Sequence, residues 1–350
     1  MRGDRGAGVA RELARKPRHK RAKTDDEELG GTTVEISLTT PSRLQFGIVD
    51  MRGDLGRIHG SVGVAIQRPR LTVKAVESSE TRIIGARSSR ASDILSTLMR
   101  DHGITSGVQV EILEDIPEHT GFGSGTQLTI ALGTILSKMF DLGLTPQSIA
   151  ERMGRSRVSG IGAYAFLGGG FIVDGGHALE RRDSVPPLIF RRDVPEDWVF
   201  VVGVPRINRG VSGDNEKDAF RRLGPPPAQT VAEVSRIVLI QLIPSIIEGD
   251  IERFGDAMTK LDSMFGDYWL KVQGGRYSHP RIEEGVNYLL ENGAVGAGQS
   301  SWGPAFYGLV DGEAQADQLA RSLSRFLNTV GEGLAFTTKA DNLGAQVSVK

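Results

Sequence analysis

The sequence predicts a two-domain α+β fold, and two observations carry that expectation. Stretches rich in β-branched residues at period two alternate with stretches whose apolar residues recur at helical spacing. At 350 residues, with 39% hydrophobic and 24% charged side chains, the chain can bury one large core or two moderate ones, and length favours two.

The alternation starts near Thr32. "TTVEISLTT" and "GVAIQRPRLTVKAVE" read as strands, "ASDILSTLMRDHG" as a helix ending at a glycine, and "GVQVEILEDI" as a further strand. The loop "IPEHTGFGSG" follows. After it Leu128, Ala131, Leu132, Ile135, Leu136 and Met139 fall at helical intervals and form one buried stripe. "VVGVPRINRGVSGDNEKDAF" reads as a buried strand and then a polar loop with Arg206, Arg209 and a Ser-Gly-Asp turn. "GPPPAQT" is a rigid break. The run from Val231 to Phe265 reads as a helix pair split near Pro244 and Gly249, and "ADQLARSLSRFL" as a late helix between strands.

Composition excludes several classes of function. With no cysteine, disulfides, thiol catalysis and cysteine-ligated zinc are impossible. A net charge of −1 gives no general basic field and so no basis for a nucleic-acid partner. No apolar run approaches the roughly 18 residues of a membrane-spanning helix, and no secretory signal is present, so a cytoplasmic location is expected. Residues 1–23 hold nine Lys and Arg, and four acids follow in "TDDEELGG". Such charge blocks bury almost nothing, so 1–31 is expected to be a disordered charged tail.

The glycine loop carries the chemistry. It sits where a helix begins, and a helix N-terminus exposes unpaired N–H groups with about half a positive charge. Gly121, Gly123 and Gly125 let a phosphate approach the backbone, and Ser124 and Thr126 add hydroxyls. No Gly-Lys-Ser/Thr follows, so this is no Walker loop, and the dinucleotide fingerprint is absent as well.

"IPEHTGFGSGTQLTIALG" resembles the second motif of the GHMP kinase superfamily, with Pro117, Gly121, Gly123 and Ser124 matching and Phe122 in place of Leu. Gly125 replaces the serine that helps those kinases hold magnesium. "TPSRLQFGIVDMRGDLGRIHGSVGVAI", "GGGFIVDGGH" and "GAGQSSWGPAFYG" are similar to one branch of that superfamily, the β-ribofuranosylaminobenzene 5′-phosphate synthases, from about residue 36 to the C-terminus. The resemblance implies a GHMP kinase-like fold: an N-terminal domain like the second domain of ribosomal protein S5 and a ferredoxin-like C-terminal domain. It implies domains at 32–195 and 196–350, with the site in the cleft between them. The implied reaction is phosphoribosyl transfer from phosphoribosyl pyrophosphate to 4-hydroxybenzoate or 4-aminobenzoate, with loss of pyrophosphate and carbon dioxide, in tetrahydromethanopterin biosynthesis. Members of the branch often carry His after "PSRL"; this chain has Gln45.

The residues agree with that reaction on chemical grounds. The segment where a GHMP kinase places its Asp offers Gly162, Ala163 and Tyr164, and no carboxylate until Asp174. A departing diphosphate needs positioned donors and magnesium, which takes only one or two protein carboxylates. Asp50, Asp54 and Asp174 are the candidates, with Asp174 at a strand end favoured as metal ligand and catalytic group. His59, His119 and His177 are candidate proton relays, His177 first. Ser42 and Arg43 in "PSRL", and Arg57, lie beside turns from which a phosphate is reached. Ser300 and Ser301 resemble the third GHMP motif and are expected to complete the phosphate site, while Trp302 supplies an aromatic wall for the acceptor. Phe306 and Tyr307 read as core. Two other readings remain: an ATP-dependent small-molecule kinase on the same scaffold, and a nucleotide-binding regulator whose basic tail contacts nucleic acid. A homodimer is compatible with the sequence.

Overall fold

The computed structural model describes residues 34–207 and 223–350, and residues 34–350 belong to one compact unit. The charged stretch 1–31 and the segment with Arg209 and the Ser-Gly-Asp turn lie outside the described residues.

β1 (Glu35–Asp50) and β2 (Arg57–Ser78) form a long antiparallel hairpin, with Leu38 opposite Val73 and Leu44 opposite Val64. β1 runs on well past Thr40, where its sequence signal fades, for two physical reasons. The register shifts between Pro41 and Ser42, a bulge that accommodates a residue without an N–H. Beyond it Leu44, Gln45 and Phe46 are all buried, so both faces are covered and the alternation of polar with apolar residues is lost.

β3 (Arg82–Ile84), α1 (Ser88–Asp101) and β4 (Gly107–Glu114) follow. α1 buries Ala91, Ile94, Leu95 and Leu98, one helical stripe. α2 (Ser124–Met139) is buried nearly all round from Gln127 to Ser137, as its charge-free sequence requires. α3 (Pro146–Arg152) begins at a capping box between Thr145 and Ser148, and α4 (Ile161–Gly168) leads into β5 (Phe171–Asp174), β6 (His177–Ala178) and β7 (Leu188–Arg192). The first sheet is ordered β12-β1-β2-β4-β3, where β12 (Gln346–Val349) is the returning C-terminus; β5 and β6 also pair with β2, and β7 with β5.

The second sheet holds β8 (Trp198–Pro205), β9 (Gly296–Gln299), β10 (Phe306–Asp311) and β11 (Gly333–Lys339) in the order β11-β8-β10-β9, antiparallel throughout. Between β8 and β9 come α5 (Ala228–Glu248), α6 (Ile251–Gln273) and α7 (Pro280–Glu291), and α8 (Glu313–Val330) joins β10 to β11. This order, fourth-first-third-second, is the ferredoxin-like arrangement. β8 is covered on both faces. Val199 and Val201 join Ile282, Val286, Leu319 and Leu323 of α7 and α8, while Trp198, Phe200 and Val202 join the main core with Phe254 and Met258 of α6. Phe46 of β1 enters that core, with ring centroids 5.3 Å from Tyr307 and 6.2 Å from Phe254. This aromatic joint fixes the first sheet against the second and so positions the site.

Two expectations are corrected here. The helix from Ala228 does not break at Pro244. A π-turn at Val238–Leu242 absorbs the lost N–H, and the break comes at Gly249, which has a left-handed φ of 74°. As one helix Ala228–Glu248 has 21 residues and a mean hydropathy of 1.6, so by length and composition it is long and apolar enough to cross a membrane, contrary to the expectation that no such run exists. It packs on β1 and α6, with 33% of that stretch buried.

Candidate active site

Three segments far apart in sequence are laced together by hydrogen bonds. Arg43 N–H of β1 donates to the Phe122 carbonyl at 3.1 Å, and Gln45 N–H donates to Ser300 Oγ at 3.1 Å. Ser300 Oγ in turn donates to the Gly121 carbonyl at 2.7 Å, and Ala305 N–H reaches the Thr120 carbonyl at 3.0 Å. Arg43 Nη1 also donates to the Gly121 carbonyl. Gly121 (φ 92°) and Gly123 (φ 78°) adopt left-handed backbone, and a Cβ at Gly121 would collide with the Ser300 carbonyl. The glycines are therefore needed for the close approach of two loops as well as for the turn.

Beside this junction opens a cavity of about 140 Å³, lined by Arg43, Gln45, Val158, Ser159, Asp262, Phe265, Trp269, Tyr277, Gln299, Ser301 and Trp302. Its walls are aromatic: Trp302 and Trp269 meet at 65° with centroids 4.4 Å apart. An apolar cavity of about 150 Å³ accommodates one benzene ring, so this one fits a single six-membered ring. Asp262 is buried here at 6% exposure. Its Oδ1 accepts the Gln299 N–H at 2.7 Å, while its Oδ2 makes no hydrogen bond of good geometry and has the Tyr277 side chain as its polar neighbour. Burial pushes its pKa up to about 7, against the lowering effects of the Gln299 N–H, Tyr277 and Arg276. Gly298 makes the room, since a Cβ there would lie 2.6 Å from the Asp262 carboxyl carbon.

An arginine group borders the start of α2. No side chain caps α2; the Thr126 and Gln127 amides bond the Gly123 carbonyl, so the amides of Ser124 and Gly125 are the ones without a partner inside the helix. Arg87 donates to the Ser124 carbonyl at 3.3 Å and pairs with Asp115. A Cβ on Gly125 would stand 2.8 Å from Arg90 Nη2 and 3.5 Å from Arg155 Nη1. Arg90 pairs with Glu118 at 2.9 Å, whereas Arg155 donates to Thr129 Oγ1 at 3.1 Å and has no ion pair among the described residues. Burial and the neighbouring Arg90 push its pKa down, the signature of a cation short of counter-charge. Helix N-terminus and arginines together make an anion cradle.

Set against the expected site residues, the structure sorts them. Arg43, Ser301 and Trp302 line the cavity, and Gly121, Gly123, Ser124, Gly125 and Thr126 form the α2 entry beside the arginines. Ser300 is fully buried with its hydroxyl committed to Gly121 and Gln45, so it clamps the loops instead of meeting a phosphate. Ser42 is fully buried as well.

The expected catalytic set is not in the cavity. Asp174 is 1% exposed; its Oδ2 accepts the Gly160 N–H at 2.8 Å and its Oδ1 the Gly176 N–H at 2.9 Å, so it ties the start of α4 to the turn after β5. Burial lifts its pKa to about 6 against those amides and Ser61. His177 is buried with Nε2 2.8 Å from the Ser156 carbonyl oxygen, and burial lowers its pKa. Arg57 donates to the Gly175 and Gly176 carbonyls at 2.9 and 2.7 Å and braces that turn. His59 stands 5.9 Å from the His177 ring and is pushed down to about 4 by burial, then His177 and Arg182, while His119 is exposed in a turn. Asp50 accepts the Arg52 and Gly53 amides, and Asp54 pairs with Arg52. Magnesium therefore finds no prepared site at these carboxylates, and among the described residues no three His, Asp or Glu side chains cluster to hold a metal.

Comparison with known proteins bears on what this arrangement belongs to. Residues 89–170 match the GHMP kinases N terminal domain and residues 242–329 the GHMP kinases C terminal domain. The β-ribofuranosylphenol 5′-phosphate synthase of Archaeoglobus fulgidus is 32% identical over 90% of this chain and its whole length. That of Methanothermobacter thermautotrophicus is 30% identical over 89% of this chain and 98% of its own. The chain belongs to the β-ribofuranosylphenol 5′-phosphate synthase family. Homoserine kinase from Cytophaga hutchinsonii has the same fold, with a TM-score of 0.65 at 15% identity, over 93% of this chain and all of that one.

Several residues of this candidate site lie beyond what the sequence alone indicates. Asp262 is legible as a carboxylate within the buried stripe Phe254, Met258, Leu261, Trp269 of α6, where an acid is out of place. Arg90 and Arg155 gave no local signal, because only the fold brings α1 and the segment after α3 to the α2 N-terminus.

Proposed function

We propose that this chain condenses phosphoribosyl pyrophosphate with 4-hydroxybenzoate, forming a carbon–carbon bond to the ribose and releasing pyrophosphate and carbon dioxide. The observation that carries the proposal is the juxtaposition of a ring-sized aromatic cavity with an arginine-lined helix N-terminus, Arg43 touching both. The name of the archaeal relatives specifies a phenol product, which favours the hydroxyl acceptor over the amino one. The step belongs to tetrahydromethanopterin biosynthesis on the same reading.

The division of labour follows from charge. The α2 amides and Arg90 and Arg155 receive the donor's diphosphate and neutralise it as the C1–O bond breaks; each well-placed donor of this kind is worth about 3 kcal/mol to the transition state. Magnesium travels with the diphosphate as part of the substrate. Trp302 and Trp269 hold the acceptor ring so that its carboxylate-bearing carbon faces the ribose C1, and the walls exclude water from a ribosyl cation that would otherwise be hydrolysed. The kinase reading lacks a base: no carboxylate stands at Gly162, Ala163 or Tyr164, and Asp174 is buried and bonded to amides.

The test is incubation with magnesium, 4-hydroxybenzoate labelled at the carboxyl carbon, and either phosphoribosyl pyrophosphate or ATP. Labelled carbon dioxide released with the ribosyl donor alone supports the proposal. ADP formed on a hydroxyl substrate, without label release, would overturn it.

A further inference from the structure

We propose that Asp262 is a catalytic residue that holds the acceptor's para hydroxyl and takes up its proton as the new bond forms, an inference that rests on the reaction proposed above. Arg43, bonded to the Gly121 carbonyl, joins the cavity to the glycine loop, whereas Asp262 and Tyr277 line it from α6 and the segment before α7. The ring carbon that attacks must face the ribose at the loop end, which directs the para substituent to Asp262. The reverse placement would set the benzoate carboxylate against Asp262, which like-charge repulsion disfavours whenever that group is ionised.

The carboxyl is fixed firmly on one oxygen and only loosely engaged on the other. Oδ1 is held by the Gln299 N–H, and Gln299 is itself fixed through the Ser278 N–H and hydroxyl and the Ser301 carbonyl. Oδ2 is buried on a cavity wall with Tyr277 beside it and no hydrogen bond of good geometry, and the Tyr307 hydroxyl on β10 is buried without a partner. The groups facing Asp262 are Tyr277 and Arg276 from the segment before α7, Tyr307 from β10, and Arg43 across the cavity. Both tyrosines have raised pKa values, chiefly by burial, and stay neutral. An acid whose pKa is pushed to about 7 is matched to exchanging a proton near neutrality.

The step balances. Ring electrons form the bond to ribose C1 while the C1–O bond breaks and its pair leaves on pyrophosphate; the hydroxyl proton passes to Asp262, leaving a dienone that bears the carboxylate on a tetrahedral carbon. The carbon–carboxylate bond then breaks to carbon dioxide, its pair restores the aromatic ring, and the phenol oxygen takes the proton back from Asp262. An amino acceptor needs no such base, since its nitrogen holds the charge as an iminium.

The experiment compares wild type with Asp262→Asn, whose amide oxygen still accepts from Gln299. Binding is read without donor, by quenching of the cavity tryptophans with 4-hydroxybenzoate and with benzoate. Wild type should prefer the hydroxyl ligand about tenfold, a charge-assisted hydrogen bond, with the preference rising as pH passes through about 7. In the variant the preference should lose its pH dependence. With donor present, kcat/KM for 4-hydroxybenzoate should fall about 10²- to 10⁴-fold and for 4-aminobenzoate by much less. Equal preference and pH dependence in both proteins, or equal losses with both acceptors, would overturn the proposal. Should Asp262→Asn fail to fold, the wild-type preference and its pH dependence decide alone. Wild type that binds with this preference yet never releases carbon dioxide would sink the reaction assigned above and the proton transfer with it; normal turnover with an indifferent variant would sink only the role of Asp262.

Discussion

Ser300 Oγ donates to the Gly121 carbonyl at 2.7 Å across 179 residues of sequence, and the same oxygen accepts the Gln45 N–H at 3.1 Å. One hydroxyl thus joins the glycine loop, β1 and the turn after β9. Ser300→Ala leaves the buried Gln45 N–H unbonded, which costs about 1–3 kcal/mol. The expected result is a lower melting temperature together with a higher KM for the ribosyl donor. An unchanged melting curve would show that the clamp carries no load.

Arg155 offers the opposite trade. It is half-buried beside Arg90 with no carboxylate partner among the described residues, so folding gains little from it. Arg155→Met keeps the stem's packing and removes the charge. Stability is expected to hold or rise, while the KM for phosphoribosyl pyrophosphate rises about 10- to 100-fold, the worth of one hydrogen bond to a charged group. Steady-state kinetics with the donor varied, alongside a thermal melt, reads both. Loss of stability without a change in KM would make Arg155 structural.

The contrast between these two residues also shows what the sequence could reveal. Ser300 stood in a recognisable glycine-flanked turn, but its role is to bond backbone, which no motif encodes. Arg155 sits in a polar stretch like many others, and its meaning comes from a helix N-terminus thirty residues away in the chain and adjacent in space. The fold was readable where burial is one-sided, as in α1 and α2; it faded in β1 beyond Pro41, where both faces are covered. Asp174 looked functional because an acid at a strand end is usually solvated. Here the amides of Gly160 and Gly176 occupy both its oxygens.

Trp302 meets Trp269 edge-on and faces the cavity. Truncation to alanine opens the wall and removes an aromatic contact worth about 1 kcal/mol beyond its area. The acceptor KM should rise about 5- to 10-fold, with the donor KM unaffected. Equal effects on both substrates would place the tryptophan outside the acceptor's path.

Asp174 gives a prediction in pH. Its folded pKa, raised by burial to about 6, exceeds the ordinary carboxylate value near 4, so the folded chain holds a proton that the unfolded chain has released across that window. The stability it contributes is complete below about pH 4 and is lost as pH rises through about 6, a difference of order 3 kcal/mol. His59, depressed to about 4, works in the other direction: its share is present above about 6.5 and lost as pH falls, while Asp262, raised to about 7, acts in the same sense as Asp174, so the bulk pH profile mixes these groups. Subtraction isolates Asp174. In Asp174→Asn the carboxamide does not titrate, and one of the Gly160 and Gly176 amides loses its acceptor. The wild type should therefore exceed the variant in unfolding free energy by a margin that shrinks between pH 4 and pH 6, measured by denaturant titration at each pH. A margin that stays constant across that range would mean that Asp174 is ionised throughout and that its amide partners outweigh its burial.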